Sequence, residues 1–128
     1  MAEEYVGRKF KTVFVGSDRA DDAVVEDIRR TGKVLDELCL TPENAGNISV
    51  RTADGMFITV GGVNKGLLSA DDVVEVVGFD FKVALVVGSK EPSSETPMHW
   101  LIYQCYPSVN AVIPVSYTHL TLPTIYSV

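Results

Sequence analysis

Three short stretches hold residues suited to gripping an anion. They are AGNIS, with Gly46 and Asn47; TVGGVNKG, with Gly61 and Gly62; and EPSSE, with Ser93, Ser94 and Glu95. The third is chemically the most pointed. A helix that starts there presents free backbone N–H groups and the positive end of its dipole. Two serine hydroxyls beside those donors make a cradle for phosphate or carboxylate. Glycines let the other two loops bring backbone N–H groups close to the same anion. Glu95 is a carboxylate in the first turn, where it complements the helix dipole. The dipole pushes such a carboxyl toward the ionised form, and burial or a bound phosphate would oppose it. Each stretch also has a purely structural reading: Gly-Asn as a turn before a strand, Gly-Gly as a connection after one, and Ser-Ser-Glu as helix capping. His99, one turn after Glu95, has no second ligand at suitable spacing. It reads more readily as a partly buried or surface histidine than as a metal ligand.

The elements that must position these loops follow from the apolar pattern. FKTVFV (10–15) predicts a short strand, and GSDRADD supplies turn and cap chemistry. From Ala20 to Leu40 the residues Val24, Val25, Ile28, Leu35, Leu38 and Cys39 keep helical spacing, with charges opposite and a favourable Glu26–Arg30 pair. Gly32 costs this helix about 1 kcal/mol relative to Ala unless a close packing partner needs it. Pro42 ends the helix. ISVRT and MFITV form a hairpin across Asp54-Gly55; VVEVV and KVALVV form a second across GFDF. A helix starts near Ser94 with Pro97 in its first turn, burying Met98, Leu101, Ile102 and Cys105; Pro107 closes it and NAVI begins another strand. Helix, hairpin, hairpin, helix, strand describes a single α/β domain with a mainly antiparallel sheet. Strands apolar on both sides need helices over at least one face.

Bulk properties narrow the setting. The chain has 128 residues, 46% hydrophobic and 22% charged, enough for a core. A net charge of −6 argues against nonspecific binding to nucleic acid or to an anionic membrane. Cys39 and Cys105 read as two buried thiols in a reducing compartment, without a base partner. No basic, apolar leader and no run of ~20 apolar residues is seen, so the expected location is the cytoplasm.

In order and spacing, AGNISVR, DGMFITVGG, PSSE followed by MHWLIYQCYP, and NAVI resemble the N-terminal half of the class II aldolase/adducin family over residues 20 to 113. The resemblance implies an α/β/α sandwich around a mainly antiparallel sheet, here truncated. It implies that Gly46, Asn47, Gly61, Gly62, Ser93 and Ser94 hold a substrate phosphate and that Glu95 is the catalytic acid/base. Many members carry a hydroxyl residue where this chain has Gly61. The implied activity is zinc-dependent retro-aldol cleavage of a ketose 1-phosphate such as fuculose phosphate. The same family holds ribulose-phosphate epimerases, methylthioribulose-phosphate dehydratases and non-catalytic adducin-like interaction modules. Its full-length enzymes are commonly homotetramers.

The family's zinc ligands include a His-x-His pair on the strand begun by NAVI, at positions held here by Pro114 and Ser116. Proline there would also remove a ladder donor from an interior strand. VSYTHLTLPT, from Val115, is similar to a conceptual translation of a transposon-end sequencing adapter. The two adapter bases before that frame are CT, so Pro114 would be a hybrid codon whose native first base is C, as in histidine codons. Residues 1–113 therefore read as native and 114–128 as a non-native tail, set aside from fold reasoning. His119 is then no ligand, and neither bound zinc nor activity is expected of this chain.

Overall fold

In β3 (Met56–Thr59) every residue is buried, so the sheet has to be covered on both faces. Met56 and Ile58 pack with Val74, Val76, Ala84, Val86 and Tyr103, whereas Phe57 packs with Val25, Ile28, Leu68 and Val73. One helix serves each side: α1 (Asp22–Glu37) covers the second cluster, and α2 (Thr96–Cys105) the first. The result is an α/β/α sandwich. The computed structural model describes residues 9–17, 22–41, 44, 46–117 and 120–127, with the backbone alone after residue 113. Residues 18–21 of the expected cap, Pro42 and His119 lie outside the described residues.

The sheet has seven strands in the order β1-β5-β4-β3-β2-β6-β7. These are β1 (Lys11–Gly16), β2 (Ser49–Arg51), β3, β4 (Val73–Phe79), β5 (Val83–Val87), β6 (Val109–Tyr117) and β7 (Leu120–Ser127). β1 pairs with β5 in parallel and every other pairing is antiparallel. Both expected hairpins form. At the first turn Thr52 Oγ1 accepts from Gly55 N–H at 2.9 Å. At the second, Asp80 Oδ1 accepts from Lys82 and Val83 N–H, and Phe81 takes the left-handed conformation.

Gly32 meets its packing partner. A Cβ there would lie 2.3 Å from the Lys65 carbonyl oxygen, so only glycine lets α1 approach that turn. The ion pairs on α1 fall at i,i+3, Glu26–Arg29 and Asp27–Arg30, rather than between Glu26 and Arg30.

Three expectations are corrected. Cys39 and Cys105 are exposed, not buried. At Cys39 the helix has already ended: its φ is 59°, Leu40 N–H bonds Leu35 C=O and Cys39 N–H bonds Asp36 C=O, which together close α1 and turn the thiol outward. Along α2 the buried residues are Thr96, His99 and Tyr103, while Leu101 and Cys105 face solvent and Met98 and Ile102 are only half-buried. The helix turns its polar side inward because that side has hydrogen-bond partners. Finally, β6 runs through Pro114 without a break. Its last β2 partner is Ser49, opposite Val112, and Pro114 lies opposite Pro123 of β7. A rung between two prolines needs no N–H, and past Val112 no β2 neighbour requires one.

Candidate functional site

The three loops converge on Thr59, the last residue of β3, which is fully buried. Its Oγ1 accepts from Ile48 N–H at 3.1 Å and its own N–H bonds Ile48 C=O at 3.0 Å. Its carbonyl accepts from Ser93 N–H at 3.2 Å. Thr59 thus fastens the residue after Asn47 to the residue before Ser94, and Gly61 follows two residues later. Sequence reasoning missed Thr59. The available signal was a buried hydroxyl in an otherwise apolar strand, which must find a partner.

The two serines divide their work. Ser93 is buried, its Oγ accepting from Glu95 N–H at 3.0 Å and its carbonyl accepting from Thr96 Oγ1 at 2.7 Å. It builds the turn into α2, so its hydroxyl keeps only its own proton to offer. Ser94 is half-exposed, and no hydrogen bond occupies its hydroxyl among the described residues. Glu95 is the N-cap of α2, where its carbonyl accepts from Met98 N–H at 3.0 Å and His99 N–H at 3.2 Å. Its carboxylate is exposed and caps nothing, so burial within this chain plays no part in its environment. The helix proper begins at Thr96, two residues later than expected.

Gly46 and Gly62 have φ of 82° and 78°, the left-handed region that glycine enters without strain. Gly61 and Gly62 are exposed, and a Cβ at either meets nothing within 4 Å, so this turn faces open space. Asn47 is half-buried. Beneath these loops lies Lys65, fully buried, whose Nζ donates to Val63 C=O at 2.7 Å and to Asn44 C=O at 3.5 Å. Burial pushes its pKa below the usual lysine value, with the charge of Asp72 opposing. The approach to Ser93 is fixed by Lys90, paired at 2.7 Å with the buried Asp72. Burial works against the Asp72 anion, but Lys90 and Ser69 hold it below the usual carboxylate range.

His99 is fully buried, beyond the partial burial its sequence suggests. Its Nδ1 lies 2.6 Å from Ser49 Oγ, which lies 2.7 Å from Tyr103 Oη. Burial lowers the His99 pKa to about 4 and raises that of Tyr103 to about 12. Arg51, two residues after Ser49, donates to the carbonyls of Tyr103, Tyr106 and Val109 at 2.8–3.0 Å and lies over the Tyr103 ring. The described residues do not fit a zinc ion. They bring no three His, Cys, Asp or Glu side chains together, and His99 faces a hydroxyl from inside the core.

Layering and site together define a class: an α/β/α sandwich in which two glycine-bearing loops and a serine turn at a helix start meet at one strand end, beside an exposed carboxylate. The sequence profile of the Class II Aldolase and Adducin N-terminal domain matches residues 26–128, and the chain belongs to that family. It is 40% identical over 90 residues to a methylthioribulose-1-phosphate dehydratase of Gluconacetobacter diazotrophicus, covering 70% of this chain and 42% of the relative. It is 36% identical over 118 residues to the enzyme of that name from Acidiphilium cryptum, covering 87% and 54%. Among solved structures, an L-fuculose 1-phosphate aldolase superposes with a TM-score of 0.68 at 32% identity, covering 80% of this chain and 48% of that one. The chain spans about half the length of the curated relatives it matches. No described helix is long and apolar enough to cross a membrane.

Proposed function

We propose that the protein is a sugar-phosphate lyase of the class II aldolase/adducin family, and that this chain supplies its phosphate cradle and its acid/base. The observation that carries this reading is the bonding of Thr59 to Ile48 and Ser93, which draws the Asn47 loop and the Ser93–Ser94 turn to the strand end that leads into Gly61–Gly62. In it, Ser94 and the backbone N–H groups of the glycine loops bind the phosphate, and Glu95 holds or moves the proton. The two dehydratase relatives favour elimination of water from a methylthioribulose 1-phosphate type of substrate. A proton leaves the carbon beside the carbonyl and a hydroxyl leaves from the next. Retro-aldol cleavage of a ketose 1-phosphate such as fuculose phosphate is the second reading, favoured by the fuculose-phosphate aldolase likeness. Zinc enters either reading only through residues outside those described. A cytoplasmic homo-oligomer acting on a small molecule belongs to the same proposal.

The test uses full-length protein, offered methylthioribulose 1-phosphate and fuculose 1-phosphate in turn, with products followed by mass spectrometry. Turnover of one, reduced about 10²- to 10⁴-fold in Glu95→Gln, supports the proposal. Turnover of neither overturns both readings and leaves the family's ribulose-phosphate epimerases and adducin-like interaction modules. The tail from Pro114 is proposed to be non-native, and re-reading the source DNA past codon 113 checks it: histidine codons at 114 and 116 are the expected result.

A further inference from the structure

We infer that Ser49 and His99 are positioning residues that hold the start of α2, and so Ser94 and Glu95, over the sheet. The inference rests on the proposed function for what is positioned and on buried geometry for how. Ser49 of β2 stands opposite Val112 of β6, and its Oγ bridges His99 Nδ1 at 2.6 Å and Tyr103 Oη at 2.7 Å. All three side chains are buried. One direction of donation leaves the fewest groups without a partner: Tyr103 O–H to Ser49 and Ser49 O–H to His99 Nδ1, with Nε2–H the one group of these three side chains left unmet among the described residues. Reversing it strands a hydroxyl proton as well as the Nε2 lone pair. The chain therefore selects the neutral Nε2–H tautomer of His99.

The mechanical consequence follows from where the ends are. Arg51, on the same face of β2 two residues on, grips the C-terminal carbonyls of α2 at Tyr103 and Tyr106. Ser49 grips the first turns through His99. A three-residue strand thus fixes both ends of a ten-residue helix. His99 N–H bonds the Glu95 carbonyl, so displacing the ring tilts the turn that carries Ser94 and Glu95.

The experiment compares full-length wild type with Ser49→Ala, His99→Leu and His99→Asn, the last keeping an acceptor near the Nδ1 position. Inorganic phosphate affinity is read by calorimetry, sugar-phosphate turnover by kinetics, and the wild-type His99 tautomer by ¹⁵N NMR. The expected result is the Nε2–H tautomer, a ten- to hundredfold loss of kcat in folded Ser49→Ala and His99→Leu, and recovery of most of it in His99→Asn. Unchanged kcat in folded Ser49→Ala, or an Nδ1–H tautomer, overturns the inference while leaving the functional reading intact. Wild-type protein with neither phosphate affinity nor turnover overturns the functional reading, and this inference with it.

Discussion

The carbonyl of Thr59 accepts a hydrogen bond from the backbone N–H of Ser93 at 3.2 Å, which fastens the end of β3 to the turn that opens α2. With its side chain bonded to Ile48 N–H, Thr59 ties the glycine-asparagine loop to the serine turn.

Thr59→Val keeps the shape of the side chain and removes only the Oγ1 acceptor, leaving Ile48 N–H unsatisfied in the core. A cost of about 1–3 kcal/mol in unfolding free energy is expected, together with weaker phosphate binding. Urea unfolding and phosphate titration of the same preparation measure both. A variant as stable as wild type would show that Thr59 is not the tie described.

Acid should loosen the fold over a defined window. His99 is buried neutral with a pKa of about 4, whereas an unfolded histidine titrates near 6.5. Below pH 6.5 the unfolded chain takes up a proton that the folded one refuses, so stability falls with pH until about pH 4. The contribution is about 3 kcal/mol across that window. Comparing urea midpoints of wild type and His99→Asn at pH 7 and pH 4.5 isolates it; the variant should lose distinctly less.

Gly32→Ala pits helix propensity against packing. Alanine gains about 1 kcal/mol in the middle of a helix, but its Cβ would sit 2.3 Å from the Lys65 carbonyl and 3.0 Å from Leu68 Cδ1. Backbone cannot yield as a flexible side chain does, and such overpacking costs about 1–3 kcal/mol. Net destabilisation is expected in chemical unfolding, where an unconstrained helix would show a gain.

Gly61→Ser should do the opposite of a lesion. The added atoms enter open space, so stability should stay within about 0.5 kcal/mol. The hydroxyl adds a donor at the edge of the proposed cradle. Phosphate affinity is expected to rise about tenfold, equivalent to about 1.4 kcal/mol, by calorimetry.

Much of this architecture was legible in the sequence because it is written in apolar periodicity and turn chemistry. The two hairpins, both helices and the three loops followed from local signals, whereas Gly32 read as a cost to its helix unless a close neighbour required it, and the neighbour came only with the fold. What was missed depends on partners far along the chain. The inward face of α2 was misassigned because Met98, Leu101, Ile102 and Cys105 make the more apolar stripe. Thr96, His99 and Tyr103 win the interior because Ser93 and Ser49 satisfy them. Thr59 and Ser49 looked like ordinary strand residues, and their roles exist only once β2, β3 and α2 are brought together. The thiol of Cys39 was placed inside by extending α1 three residues past its actual end.

The claim that these loops form a phosphate cradle stands or falls on one titration: inorganic phosphate into full-length wild type and Ser94→Ala, followed by calorimetry. The account predicts saturable binding at one site per chain in the wild type, weakened at least about tenfold in Ser94→Ala, as expected for loss of a hydrogen bond to a charged group, with no change in melting temperature. Equal affinity in the two proteins, or no saturable binding by the wild type, would contradict it.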